Sequence, residues 1–269
     1  MEVVGGIDVG SVFTKALIME LGGRVFSSSM GRTLAGAEKA ARSCLNEALR
    51  TAGLEAEDIR YIVSTGYGRV MVPFADKQVT EITCHAEGAA FLFPDVRTVI
   101  DIGGQDSKVI SIGDQAKVKR FMMNDKCAAG TGRFLEVMAD ALGTNLEELS
   151  SLSFQSNNNI EVSSLCTVFA ESEVVSLVST GQEMADIAAA IFRSISKRMI
   201  GMIGQVGLIE KVVMTGGVAK IRGQVHALEE ELHTKLVVPE NPQIVGALGA
   251  AILAARELGR DPGRVIRAG

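Results

Sequence analysis

Apolar positions along this chain follow two spacings, one typical of strands and one typical of helices. Apolar residues three and four apart predict helices that end near Gly53, before Pro94 and at Gly143, where chain-breaking residues follow. We predict helices at 35–52, 81–93, 130–142, 168–179, 184–203, 218–233 and 244–258. Short apolar runs predict strands at 58–64, 98–102, 107–112, 118–123 and 212–214, with a polar loop over 150–164. This mixture of elements indicates an α/β fold.

An internal repeat organises these elements further. Residues 7–15 read IDVGSVFTK and residues 100–108 read IDIGGQDSK, which align without a gap. Each predicts a β-hairpin: a strand that ends in Asp, a tight glycine-containing turn and a returning strand. Residues 62–66 and 213–217 both predict a strand that runs into Thr-Gly. Because both kinds of element recur in the same order, we expect two related α/β domains.

The boundary between the two domains is predicted at Pro94–Asp95, just before the second hairpin, since no low-complexity linker separates the halves. The predicted first domain contains residues 1–94 and the C-terminal segment 244–269. The predicted second domain contains residues 95–243, which include the second hairpin and the second Thr-Gly strand end.

The turns of the two hairpins are candidate phosphate sites. Small residues occupy them, Gly10-Ser11 in the first and Gly103-Gly104 in the second. Consecutive backbone N–H groups exposed by such a turn form a concave site for an anion. The alternative is that each hairpin is an ordinary turn whose Asp caps the local backbone.

Charged and amide side chains beside these turns supply the rest of a phosphoryl-transfer site. Lys15 offers a point charge, and Asp8 and Asp101 stand at strand ends where carboxylates hold Mg²⁺ through its waters. Gln105 follows the second glycine pair, where an amide orients an attacking water. Phosphoryl transfer requires mainly positioning and charge stabilisation from the protein, so these groups are sufficient.

Composition excludes several classes of protein. The chain has 27 Lys+Arg against 32 Asp+Glu, a net charge of −5 and no Trp, so we expect neither nucleic acid nor an anionic membrane as a partner. The longest apolar stretch, 244–255, is shorter than the roughly 20 residues that span a bilayer. Residues 1–20 lack a basic segment followed by an apolar core, so we expect a cytoplasmic protein.

Two of the four cysteines stand before predicted helices. Cys127 precedes a Gly-Thr-Gly segment, and Cys166 heads the next helix. A helix N-terminus favours a thiolate and an anionic centre, and two thiolates are half of a four-cysteine iron–sulfur site. A two-fold dimer would complete four ligands. The alternative is two buried, inert cysteines, which is how we interpret Cys44 and, with a packing role, Cys84.

The hairpins and the second Thr-Gly strand end resemble the phosphate-1, phosphate-2 and adenosine motifs of the actin, sugar-kinase and heat-shock ATPase superfamily. That resemblance implies two ribonuclease-H-like domains with ATP or ADP and Mg²⁺ in the cleft between them. It implies catalytic roles for Asp8, Asp101 and Gln105. It implies nucleotide contacts from Gly10, Ser11, Thr14, Lys15, Gly103, Gly104, Gly216, Gly217 and Lys220.

The segments NDKCAAGTGRF, residues 124–134, and LCTVFAESEV, residues 165–174, resemble those of a narrower family. They are similar to the ATP-dependent activators (component A) of 2-hydroxyacyl-CoA dehydratases, within the BadF/BadG/BcrA/BcrD ATPases. The resemblance implies that Cys127 and Cys166 ligate one [4Fe–4S] cluster per homodimer. It implies an ATP-driven one-electron transfer to a dehydratase or reductase component, with ferredoxin or flavodoxin as donor.

Two other classes of function remain open at this point. A small-molecule kinase of the N-acetylglucosamine type would need a base for the acceptor hydroxyl and no cluster. An actin-like filament or regulatory ATPase would need no thiols. Within the redox interpretation, the partner could also be a benzoyl-CoA reductase or a double-cubane cluster protein.

Overall fold

The computed structural model describes residues 2–163 and 166–263. Outside this range lie Met1 and 264–269 of the predicted first domain, Ser164 at the end of the predicted loop, and Leu165 in the second cysteine segment. The strands are β1 Val3–Val9, β2 Phe13–Glu20, β3 Val25–Arg32, β4 Ile59–Thr65, β5 Lys77–Gln78, β6 Thr98–Ile102, β7 Ser107–Ile112, β8 Val118–Asn124, β9 Val212–Thr215 and β10 Leu236–Val237. The helices are α1 Ala37–Ala52, α2 Glu81–Leu92, α3 Gly132–Ala141, α4 Leu146–Ser153, α5 Thr167–Ser179, α6 Met184–Val206, α7 Arg222–Leu232 and α8 Val245–Glu257.

These elements form two compact units. Of the described residues, the first unit contains those up to Val99, the segment Ile112–Lys119 and those from Gln243 onward. The second contains Ile100–Ser111 and Arg120–Pro242. The strands form two five-stranded sheets, with the orders β3-β2-β1-β4-β5 and β10-β9-β6-β7-β8.

In the first unit, β1 lies at the centre of its sheet and is buried along its whole length. It pairs antiparallel with β2, in a register that sets Asp8 opposite Lys15, and parallel with β4. Helix α1 covers one face, and α2 and α8 cover the other. The approach of α8 to β1 is so close that a side chain at Gly6 would clash with the backbone of Ala247. The small residues of α8 therefore let it pack directly on the strand that ends in Asp8.

In the second unit, one apolar core joins β6 and β9 to helices α3 to α7. Helix α6 is the longest at 23 residues and buries Phe192 and Ile195 in this core. Phe134 and Leu135 on α3 are fully buried in the same cluster. The second hairpin and both cysteine segments are therefore attached to a single hydrophobic core.

The structure corrects two sequence predictions. The polar loop expected over 150–164 begins inside helix α4, whose N-cap Asn145 accepts hydrogen bonds from two backbone N–H groups through its side chain. The helix expected over 218–233 is two elements, a 3-10 turn at Gly217–Lys220 and helix α7, separated by extended Ile221. The serine-rich sequence of α4 hid its helical pattern, because serine favours turns and caps when packing is ignored. The edge strand β3 was missed for the same reason, since its sequence VFSSSMGR is largely polar.

Candidate functional site

The first hairpin places an ion pair directly beneath its turn. Asp8 is buried at the end of β1, and its Oδ2 lies 3.1 Å from Lys15 Nζ on β2. The turn is closed by a hydrogen bond of 3.1 Å from the N–H of Gly10 to the carbonyl of Phe13, and Ser11 is exposed at its tip. The pair is held because antiparallel pairing sets the two residues opposite each other on one sheet face.

The second hairpin repeats this arrangement. Its turn closes with a 2.9 Å bond from the N–H of Gly103 to the carbonyl of Asp106. Lys108 Nζ lies 3.0 Å from Asp101 Oδ2 and 3.0 Å from Asp106 Oδ2, and the Lys108 side chain is only 2% exposed. A buried ammonium is tolerated only where carboxylates compensate its charge, and here two do so. The predicted repeat is thus confirmed as a repeat of geometry.

The two Thr-Gly strand ends lie against the two hairpin aspartates. Gly66 and Gly216 both have φ of +87°, a conformation that glycine adopts without strain. A side chain at Gly66 would come within 2.5 Å of Asp8 Oδ1, and one at Gly216 within 2.9 Å of Asp101 Oδ1. Each glycine therefore lets the backbone close over the end of the neighbouring hairpin.

The hydroxyls that precede these glycines behave differently. Thr215 Oγ1 donates a 2.8 Å hydrogen bond to Asp101 Oδ1. The equivalent hydroxyl of Thr65 is buried and has no hydrogen-bond partner within the described part of the chain. The two hairpins therefore differ here: Asp101 accepts a hydrogen bond from a threonine, whereas Asp8 does not accept one from Thr65.

The other predicted nucleotide residues occupy varied environments. Gln105 is exposed in the second turn, where Gly104 is half-buried. Lys220 is exposed at the end of the 3-10 turn that follows β9, and Gly217 begins that turn. Thr14 is fully buried, and its hydroxyl lies 3.1 Å from that of Thr33, which in turn donates to the carbonyl of Gly10. Thr14 is therefore linked to the first turn through the hydroxyl of Thr33.

Three residues at this site were not among the sequence candidates: Asp106, Lys108 and Thr215. Lys108 aligns with Lys15 in the repeat, so the repeat itself carried the signal that would have identified it. The contact between Thr215 and Asp101 joins residues far apart in sequence, so no local pattern predicts it.

Burial divides the four cysteines into two pairs. Cys44 and Cys84 are buried, and burial raises the pKa of the Cys44 thiol and raises that of Cys84 to about 12. Such thiols stay protonated and are poor metal ligands. Cys127 and Cys166, the predicted cluster ligands, are only half-buried. The packing role expected for Cys44 and Cys84 agrees with their burial.

The Cys127 segment is tied to the second hairpin. Asn124 donates from Nδ2 to the carbonyls of Cys127 and Ala129, at 2.9 and 3.0 Å. Helix α3 begins at Gly132, and the N–H groups of Gly132 and Arg133 donate to the carbonyls of Gly103 and Gly104, each at 2.8 Å. Two N–H groups at the start of α3 are therefore used by the hairpin turn.

Cys166 is the N-cap residue of α5, as the sequence predicted. Helix α5 buries Ala170 and Val174, packs against α3 and leaves four large apolar side chains exposed on its other faces. These four are Val168, Phe169, Val175 and Val178. In the middle of α5, Glu173 accepts a hydrogen bond from the N–H of Ser163. Within the described residues, no group of three or more His, Cys, Asp or Glu is arranged to hold a metal ion. The half-buried thiols of one chain are those of Cys127 and Cys166.

The fold places the chain in a known structural class. It superimposes on a ROK family glucokinase from Streptomyces griseus with a TM-score of 0.58 at 14% identity, over 94% of this chain and 99% of that one. A likeness at this identity shows the fold alone, that of the actin-like ATPases and sugar kinases, as the motifs predicted. Among the described helices, none is both long and apolar enough to cross a membrane.

Comparison with characterised proteins narrows the class to a family. The chain belongs to the BadF/BadG/BcrA/BcrD ATPase family, which matches residues 5–254. It is 49% identical to the activator of lactoyl-CoA dehydratase of Anaerotignum propionicum, over 93% of this chain and 96% of that protein. The resemblance inferred from the cysteine segments is confirmed.

Two solved structures are closely similar. Component A of (R)-2-hydroxyglutaryl-CoA dehydratase from Acidaminococcus fermentans has a TM-score of 0.92 at 44% identity, over 97% of this chain and 100% of that one. The activator of 2-hydroxyisocaproyl-CoA dehydratase from Clostridium difficile, solved with bound ADPNP, has a TM-score of 0.88 at 43% identity, over 96% of each chain.

Proposed function

We propose that this protein is the reductive activator of a 2-hydroxyacyl-CoA dehydratase. In this proposal, ATP hydrolysis drives one-electron transfer from a [4Fe–4S] cluster, shared by two copies of the chain, to the dehydratase. The names of the relatives at 43–49% identity support the partner class, and the ADPNP-bound relative supports nucleotide binding. Ferredoxin or flavodoxin as donor, and the cytoplasm as location, remain predictions.

The residues of the two hairpins would bind and orient the nucleotide. The turn N–H groups of Ser11 and Gly104 would contact phosphate oxygens, and Lys15 would add positive charge. Asp8 and Asp101 would hold Mg²⁺ through its waters, each kept in place by its lysine. Gln105, exposed in its turn, would orient the attacking water. Gly216, Gly217 and Lys220 remain the proposed adenosine contacts.

The donor set fits a shared cluster. Cys127 and Cys166 are the two half-buried thiols, whereas the raised pKa of the buried Cys44 and Cys84 thiols disfavours the thiolates that iron requires. Two thiols per chain make four ligands in a symmetric dimer. The cluster, when bound, would supply a site that accepts and gives up one electron.

Helix α5 offers a surface for that dimer. Cys166 stands at its N-terminus, and exposed Val168 and Phe169 follow in its first turn. Exposed apolar side chains beside a half-filled ligand set favour an isologous contact, in which the same patch meets its own copy.

One set of contacts supports a coupling between ATP hydrolysis and the positions of the two thiols. The second turn, which would hold phosphate, accepts hydrogen bonds from the first two N–H groups of α3, the helix that follows Cys127. Helix α3 packs against α5, which begins at Cys166. A shift of the Gly103–Gly104 turn on loss of a phosphate would therefore move both thiols through direct contacts.

A benzoyl-CoA reductase or a double-cubane cluster protein stays an alternative partner. A kinase without a cluster stays the alternative from another class, because the fold is shared with sugar kinases.

Anaerobic purification tests the proposal. Wild-type protein is expected to be a brown dimer with four iron and four sulfide per dimer, whose ATPase activity rises when the reduced dehydratase partner is added. Cys127→Ala and Cys166→Ala should lose the iron, and Cys44→Ala should keep it as the matched control. A full complement of iron in Cys127→Ala, or a colourless wild-type monomer that phosphorylates a sugar, would contradict the proposal.

A further inference from the structure

Thr215 is a buried threonine at the end of β9 for which the proposed chemistry gives no role. It is 0% exposed, and β9 is the sheet neighbour of β6, the strand that carries Asp101. The Thr215 hydroxyl donates a 2.8 Å hydrogen bond to Oδ1 of Asp101. The order of strands in the sheet therefore brings together two side chains that are 114 residues apart in sequence.

Asp101 is held at both of its carboxylate oxygens. Lys108 Nζ lies 3.0 Å from Oδ2, and Thr215 Oγ1 lies 2.8 Å from Oδ1. Both donors are buried, so water competes little for either contact. A lysine ammonium is a point charge on a flexible stem and by itself sets no direction for the carboxylate. The second contact, from Thr215, therefore restricts rotation of the carboxylate about its Cβ–Cγ bond.

The first hairpin lacks this second contact. Thr65 has the place of Thr215 in the repeat, and it too is 0% exposed and is followed by a glycine with φ of +87°. Asp8 nevertheless accepts no hydrogen bond from the Thr65 hydroxyl. The two threonines thus share residue type, burial and the backbone conformation of the next residue, and they differ in the contact to the aspartate.

Thr215 also directly precedes the proposed adenosine contacts, because β9 continues into Gly216 and Gly217. The N–H of Gly216 donates a 3.0 Å hydrogen bond to the carbonyl of Pro242. A side chain at Gly216 would come within 2.3 Å of the carbonyl oxygen of Ile102, so the backbone here lies directly on β6. The hydroxyl of Thr215 therefore joins a strand end that would meet the nucleoside to a carboxylate that would hold Mg²⁺.

We propose that Thr215 is a positioning residue for Asp101, whose hydroxyl orients the carboxylate toward the waters of nucleotide-bound Mg²⁺. The inference rests on the proposed function and deepens its ATPase half. A residue that acts through Asp101 has its main effect on turnover and on Mg²⁺ dependence, and changes KM for ATP little.

Three variants of the full-length protein test this role. Thr215→Val keeps the shape and removes the hydroxyl. It should lower kcat by about 10- to 100-fold and raise the Mg²⁺ concentration for half-maximal activity, with KM for ATP at saturating Mg²⁺ changed by less than about threefold. Thr215→Ser keeps the hydroxyl and should recover most of the lost turnover. Thr65→Val is the matched control, and its kcat should stay within about twofold of wild type because no contact to an aspartate is lost.

A Thr215→Val protein with wild-type kcat and Mg²⁺ dependence would overturn the proposal. Equal losses in Thr215→Val and Thr215→Ser would also overturn it, since the hydroxyl would then not be the cause. Equal losses in Thr215→Val and Thr65→Val would do the same, because they would reflect the removal of any buried hydroxyl near a strand end.

Calorimetric titration with ADP at several Mg²⁺ concentrations gives the same comparison without hydrolysis. Mg²⁺-dependent ADP binding should be weaker in Thr215→Val and unchanged in Thr65→Val. If the wild type binds Mg²⁺–ADP but does not hydrolyse ATP, the proposed function fails, whereas this difference between the two variants would still support the positioning role. Equal Mg²⁺-dependent binding in all three variants would overturn that role and leave the proposed function standing.

Discussion

The N–H of Gly132 donates a 2.8 Å hydrogen bond to the carbonyl of Gly103, so helix α3 begins directly on the turn of the second hairpin. Arg133 makes the equivalent bond to Gly104. A loop that would bind phosphate and a helix that follows a proposed cluster ligand therefore share backbone hydrogen bonds. A small movement of the turn or of the start of α3 is therefore passed to the other through backbone hydrogen bonds, without an intervening side chain.

Gly132→Pro should uncouple the turn of the second hairpin from helix α3. Proline removes the N–H and puts its ring against the Gly103 carbonyl, yet its backbone suits the first position of a helix, and Thr131 before it is already extended. We expect normal iron content and ATPase activity, but about tenfold less dehydratase activated per ATP hydrolysed. Gly132→Ala keeps the N–H and is the control. Equal coupling in the proline and alanine variants would contradict this prediction.

Lys108→Met should destabilise the second unit strongly. It removes a 2% exposed ammonium and leaves Asp101 and Asp106 without their shared partner, a loss of about 3–5 kcal/mol in the free energy of unfolding. Lys15→Met is the matched control, and its loss should be smaller because Lys15 is 16% exposed and faces one carboxylate. Urea denaturation measures both, and equal losses would show that burial is not the cause.

Asp186 should make stability depend on acid pH. Its Oδ1 accepts from Ser156 Oγ and from the N–H groups of Asn157 and Asn158, and the Asn158 amide donates to its Oδ2. These bonds, that from the Asn158 side chain first, hold the pKa of the carboxyl well below its usual range. The unfolded chain therefore binds a proton more readily than the folded chain.

The stability that Asp186 contributes is thus present above about pH 4, the ordinary pKa of an aspartate, and is lost as the pH falls below it. Urea midpoints at several pH values between 5 and 3 should fall less steeply for Asp186→Asn than for wild type. Parallel curves for the two proteins would show that Asp186 titrates normally.

Alkylation should separate the four cysteines. After removal of iron by a chelator, iodoacetamide near pH 8 should label Cys127 and Cys166, whereas Cys84 is fully buried with a pKa of about 12 and should resist. Cys44, buried with a raised pKa, should resist as well. Mass spectrometry of the native protein gives the sites. Labelling of Cys84 before Cys127 would contradict the proposed set of cluster ligands.

Local sequence patterns were enough to predict the hairpins, their repetition and the family. Each hairpin is local: a strand, a small-residue turn and a returning strand place Asp8 opposite Lys15 with no help from distant residues. Cys127 and Cys166 could be proposed as cluster ligands because the segments around them are long and specific. The helix α4 and the strand β3 could not, since their polar sequences form these elements only when packed.

The way in which each aspartate is held depends on tertiary packing. Lys15 and Lys108 have the same place in the repeat, yet only the second is fully buried between two carboxylates. The Thr215 bond to Asp101 and the bond from Gly132 to Gly103 both join elements separated in sequence. Such contacts depend on how helices pack on the sheets, and local preference carries no information about that packing.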